Sequence, residues 1–99
     1  MIWHIVRFDF AGIADDVRAD LEAQLRDLDD LDCVGFLRLG RDLEQSTVTG
    51  LLTGFADAGE LDVYRAHPDH LPVVEAIREA GVAVTRIDVE TDDDLAVLA

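Results

Sequence analysis

Three histidines and one tyrosine are the side chains in this sequence best suited to carry chemistry. His4 falls in the middle of an apolar stretch and shares a face with Ile2, Val6 and Phe8. His67 and His70 flank Pro68, and Tyr64 lies one helical turn earlier. An imidazole titrates near neutral pH, with an unperturbed pKa of about 6.5, so it serves as general base or general acid. A tyrosine hydroxyl can donate to an enolate oxygen as negative charge develops there. Taken singly, each residue also has a packing reading: a lone histidine on an apolar strand is often a satisfied core residue, and Tyr64 stands at helical spacing from Leu61. Together they point to one ligand pocket. In it an imidazole of His4, His67 or His70 would act as general base or acid, and the Tyr64 hydroxyl would hydrogen-bond an oxygen that becomes anionic. Val6 and Phe8 would form the apolar wall, and His67 would be a further ligand contact. His67 and His70 with Asp69 have spacing compatible with two metal ligands, but the proline break and the lack of a distant third ligand argue against a metal site. No cofactor is expected.

The elements that must position these groups are legible from periodicity. Residues 2–10 read as a strand buried on both sides, with Ile2, Val6, Phe8 and Phe10 on one face and Trp3 and Ile5 on the other. Asp15 or Asp16 can cap a helix in which Val17, Leu21, Leu25 and Leu28 form the apolar stripe and Asp20, Glu22, Arg26 and Asp27 lie off it. Residues 33–41 and 47–55 read as a second and third strand, antiparallel because the loop between them is short. A helix from Asp57 breaks at His67-Pro68, restarts around Asp69 and ends at Gly81. Residues 82–90 supply the fourth strand, with Ala83, Ile87 and Val89 on one face. This order, β-α-β-β-α-β, predicts an α+β, ferredoxin-like fold with a four-stranded antiparallel sheet and both helices on one face. The domain spans residues 1–90, and residues 91–99 form an acidic and apolar tail that could fray or clasp a partner. The sheet face carrying Trp3 and Ile5 would be left open, and a second copy packed against it would cover it.

Composition narrows the partners. The chain of 99 residues holds 16 Asp and 6 Glu against 8 Arg and no Lys, a formal net charge of −14. The arginines are scattered, so nucleic acid and anionic membranes are poor partners. Asp excess without Lys points to a high-salt cytoplasm, where repulsion is screened and carboxylates keep the surface hydrated. Cys33 is alone, which excludes an intrachain disulfide and fits a reducing compartment. Neither a signal peptide nor a membrane span of roughly 20 apolar residues is visible. A cytoplasmic location is expected.

Three segments carry a family resemblance. His4-Ile5-Val6, Phe36-Leu37-Arg38-Leu39-Gly40-Arg41, and Tyr64-Arg65-Ala66-His67-Pro68-Asp69-His70 with Val73-Val74 resemble the stress-responsive A/B barrel, or Dabb, family of dimeric α+β barrels. The resemblance spans nearly the whole chain and implies a homodimer with a pocket for an apolar or carbonyl-containing small molecule. It also implies a possible activity, because the family includes plant polyketide cyclases that perform cofactor-free aldol condensation. Their helix histidine matches His70, their strand histidine His4 and their tyrosine Tyr64. The third strand, Thr47 to Gly54, departs from the family's more polar and bulky pattern, which leaves pocket shape and substrate open. A binding module without catalysis, and an oxygenase like the related antibiotic-biosynthesis monooxygenase barrels, remain alternatives on the same architecture.

Overall fold

In the computed structural model, which describes residues 1–99, the elements follow the order β1 (Ile2–Asp9), α1 (Asp15–Asp27), a 3-10 turn (Leu28–Asp30), β2 (Phe36–Arg41), β3 (Val48–Phe55), α2 (Ala58–Ala66), α3 (Leu71–Glu79), β4 (Ala83–Glu90) and α4 (Leu95–Leu98). The sheet order is β2-β3-β1-β4 and every neighbouring pair is antiparallel. This is the ferredoxin-like arrangement: each helical connection skips one strand position, so both end on the same face. No helix is long and apolar enough to cross a membrane.

Period-two alternation divides β1 as its composition requires. Ile2, His4, Val6 and Phe8 are buried beneath the helices, while Trp3, Ile5, Arg7 and Asp9 face the other way. The register carries this division across the sheet. His4 stands opposite Thr53 on β3 and Asp88 on β4, Val6 opposite Leu51 and Arg86, and Phe8 opposite Thr49 and Val84. These rows, with Leu21 and Leu25 from α1, Leu61 and Tyr64 from α2 and Val73 and Ile77 from α3, form one apolar core.

Several local expectations shift. No side chain caps α1; Ala14 occupies the cap position, and Asp15 and Asp16 lie in the first turn, where their charge meets the positive end of the helix dipole. The buried face of α1 keeps Leu21, Leu25 and Leu28 as expected but extends to Arg18 and Glu22 in place of Val17. Val17, expected in the apolar stripe, is 40% exposed, whereas Glu22, expected outside it, is only 3% exposed and Arg18 is buried beside it. β2 begins at Phe36 rather than Cys33, although Cys33 and Val34 remain in the core. α2 is capped by Asp57, whose Oδ1 accepts from the Glu60 amide at 2.9 Å. It ends at His67, whose extended ψ of 133° is the geometry that the following Pro68 enforces. α3 starts at Leu71, two residues after the expected restart, and Gly81 with φ +79° turns the chain back to the sheet.

The opposite face is partly open. Ile87 is 58% exposed and Leu52 is also exposed there. At one end the C-terminal segment returns to its own sheet. The Trp3 indole donates to Thr91 Oγ1 and Asp93 Oδ2, each at 3.1 Å, and the Trp3 ring stands edge-on to Phe36 at 5.4 Å. Leu95 covers Gly35 so closely that any β-carbon there would collide with it.

Candidate functional site

Helices α1 to α3 cover β1, β2 and β3 but leave β4 exposed along almost its whole length. Beneath α2 and α3, beside the uncovered inner row of β4, lies a cavity of about 690 Å3 that opens to solvent. Most of its lining is hydrophobic, including Val6, Phe8, Leu51, Val73 and Ile77. His4, Tyr64 and His70 line the same cavity.

His4 is held by its neighbour in the sheet. The β1–β4 register sets Asp88 beside it on the same face, and His4 Nδ1 meets Asp88 Oδ1 at 2.5 Å. A carboxylate only accepts, so Nδ1 carries a proton and Nε2 is the ring nitrogen left free of Asp88. Arg65, reaching across from α2, donates to the second oxygen, Asp88 Oδ2, at 2.6 Å. Burial pushes the Asp88 carboxyl upward, but the His4 hydrogen bond and charge, and then those of Arg65, outweigh it and hold the group below the usual carboxylate range. Asp88 is therefore ionised at neutral pH.

Tyr64 and His70 stack against each other. Their ring centroids are 4.1 Å apart, and the His4 ring lies 5.8 Å from Tyr64, roughly edge-on. Tyr64 is 1% exposed, and burial pushes its hydroxyl well above its ordinary value, with no hydrogen bond opposing the shift. It remains a protonated donor. His70 Nδ1 donates to the Arg65 carbonyl across a long 3.4 Å, which leaves Nε2 unprotonated in the neutral ring. Burial is the main cause that lowers the His70 pKa; the Arg65 carbonyl opposes it, and His4 and His67 add to the lowering. The ring is neutral and basic at pH 7.

The structure brings together His4, Tyr64, His70, Val6 and Phe8. It does not bring His67 with them. That ring lies outside the cavity, where its Nδ1 accepts the Asp69 amide at 3.0 Å, so its position at the helix break serves the turn. His67, Asp69 and His70 form no three-residue group arranged to hold a metal ion. Sequence reasoning passed over Asp88 and three arginines of the lining, Arg65, Arg78 and Arg86. Alternation in β4 puts Asp88 and Arg86 on the inner face, but only the register reveals that Asp88 meets His4. Thr53, in the same row, is fully buried and its hydroxyl has no partner.

Comparison with known proteins agrees with this architecture. The model of the stress responsive A/B barrel domain matches residues 2–91. Among solved structures, a proposed antibiotic-biosynthesis monooxygenase from Deinococcus radiodurans superposes with a TM-score of 0.79 at 14% identity, covering 95% of both chains. The Arabidopsis thaliana protein At3g17210 gives 0.78 at 17% identity, over 95% of this chain and 98% of its own. A dimeric ferredoxin-like protein of unknown function from Thermobifida fusca gives 0.77 at 17% identity, over 91% and 90%. At such identities the likeness concerns the fold. None of the curated proteins matches the chain.

Proposed function

This chain belongs to the stress-responsive A/B barrel family, and we propose that it binds an apolar carbonyl compound and removes a proton beside that carbonyl without a cofactor. The observation that carries the reading is the convergence of His4, Tyr64 and His70 at one apolar cavity of about 690 Å3, a volume that suits a small organic ligand. In the proposed step His70 Nε2 takes the proton from carbon and the electron pair moves onto the carbonyl oxygen. The Tyr64 hydroxyl donates to that oxygen as it becomes anionic. His4, fixed by Asp88, orients the carbonyl or receives the proton from His70. An enolate formed this way opens an aldol-type ring closure when the ligand holds a second carbonyl, and the proton then returns from His70 to the new alkoxide.

The test needs no knowledge of the natural ligand. A long-chain methyl ketone such as decanone, incubated in deuterium oxide, should exchange its α-hydrogens faster with the protein than without it. His70→Ala should lower the protein-dependent rate about a hundredfold, the low end of general-base catalysis. Saturable ketone binding with equal exchange in both proteins would leave a binding module and eliminate the proton transfer.

Two further assignments belong to this reading. A second copy is the proposed cover for the open face around Ile5, Leu52 and Ile87, supported by the exposure of Leu52 and Ile87 and by the dimeric Thermobifida relative; sedimentation showing only monomer across the micromolar range would overturn it. A high-salt cytoplasm is the setting that the net charge of −14 supports. Stability should then rise from low to molar salt, and a maximum at low salt would reject that setting.

A further inference from the structure

The cavity has a charge character opposite to that of the chain. The sequence carries 22 acidic residues and 8 arginines, yet the cavity lining includes three of those arginines and not one Asp or Glu. Two of the three are already committed. Arg65 is paired with Asp88 and Asp62, and Arg78 with Glu75. Arg86, exposed on β4 at the rim of the cavity, is in none of the chain's ion pairs, although carboxylates outnumber guanidiniums almost three to one. It stands beside Val6 on the inner face of β4 and is two residues from Asp88, hence about 7 Å along the strand from the His4 row.

From this we propose that Arg86 is the anchor for an anionic head group, so that the ligand is an apolar carboxylate. The inference rests on the pocket reading above and names its substrate class. A ligand whose carboxylate meets Arg86 would extend its apolar body over Val6 and Leu51 and bring a carbon near the imidazoles. The guanidinium fork matches a single carboxylate through two parallel hydrogen bonds. A phosphate monoester would import a second negative charge into a chain already at −14. Asp88, the nearest carboxylate, has its two oxygens taken by His4 and Arg65, which offsets its charge, and salt screens the remaining repulsion beyond about 8 Å at physiological ionic strength.

The experiment compares decanol, decanoate and decyl phosphate by calorimetry at pH 8 and fixed ionic strength. The wild-type chain should bind decanoate about tenfold more tightly than decanol, the scale of a charge-assisted hydrogen bond. Arg86→Gln should bring the two within about twofold, and Arg86→Lys should keep part of the preference. Arg26→Gln removes the same charge from an unpaired arginine outside the cavity, so it should leave the preference intact. Equal affinities in the wild type, or a preference that survives Arg86→Gln, would overturn the anchor. Tighter binding of decyl phosphate than of decanoate would overturn the carboxylate assignment. If decanol binds and decanoate gains nothing, this inference alone fails; if none of the three binds, the pocket reading fails with it.

Discussion

Two polar clusters lie under the helices of the same sheet, about 13 Å apart along β3, and they are completed in opposite ways. At the Thr49 row, Glu22 Oε1 receives Arg41 at 2.7 Å and Oε2 receives the Thr49 hydroxyl at 2.9 Å. Arg18 donates to Thr49 Oγ1 at 3.0 Å and to the Ser46 carbonyl at 2.8 Å, and lies 5.1 Å over the Phe10 ring, with only its Nε left unpaired. This cluster ties α1 to β2 and β3 and lies outside the cavity that His4 lines. At the His4 row, by contrast, the Tyr64 and Thr53 hydroxyls have no protein partner and the His70 ring keeps a basic nitrogen. A buried polar group left unpaired costs stability, and at the His4 row a ligand in the adjoining cavity would supply the missing partner. One cluster holds the fold, and the other holds hydrogen-bonding capacity in reserve.

The contrast breaks most readily at Glu22. Glu22→Ala strands the Arg18 guanidinium in the core and should cost about 3–5 kcal/mol in urea unfolding; a loss below about 1 kcal/mol would show that the closed cluster is no anchor. Next comes a matched pair of hydroxyl deletions. Thr49→Val removes a donor to Glu22 and an acceptor for Arg18 and should destabilise by about 1–3 kcal/mol. Tyr64→Phe removes a hydroxyl with no partner and should leave stability within about 0.5 kcal/mol while slowing ketone exchange. Equal stability losses from the two would erase the distinction.

The smallest effect is in pH. The His70 pKa lies below its ordinary 6.5, burial being the main cause, so its basic form persists into mild acid. The exchange rate should therefore fall with decreasing pH along a limb whose midpoint lies below 6.5; a midpoint at or above that value would contradict the buried, neutral ring. Linkage has the same sign. The unfolded chain binds this proton first, so stability declines as pH drops below about 6.5. Asp88, whose pKa is lowered, supplies stability above the ordinary carboxylate range that is lost as pH falls through its folded value.

Much of the pocket was legible without coordinates, and the reason is local. His4 shares the face of Val6 and Phe8 because side chains alternate along a strand, and Pro68 forces the chain out of helix at His67, so that α3 restarts at Leu71 beside His70. The misplaced residues fail for non-local reasons. Glu22 reads as a surface charge on helical periodicity alone; it is buried because Arg41 and Thr49, from two other strands, complete its hydrogen bonds. His67 reads as a third imidazole for the site, yet it turns to the Asp69 amide.

What the sequence by itself determined is therefore element type, element order and the face each strand residue takes, all consequences of backbone geometry over a few residues. Only the tertiary structure decided that Asp88, 84 positions away, would hold a proton on His4 Nδ1, and that the helices would stop short of β4 to leave Arg86 beside a cavity. Cross-strand neighbours depend on register, which the whole sheet sets at once. A cavity is the space that packing leaves unfilled, and no local pattern encodes that.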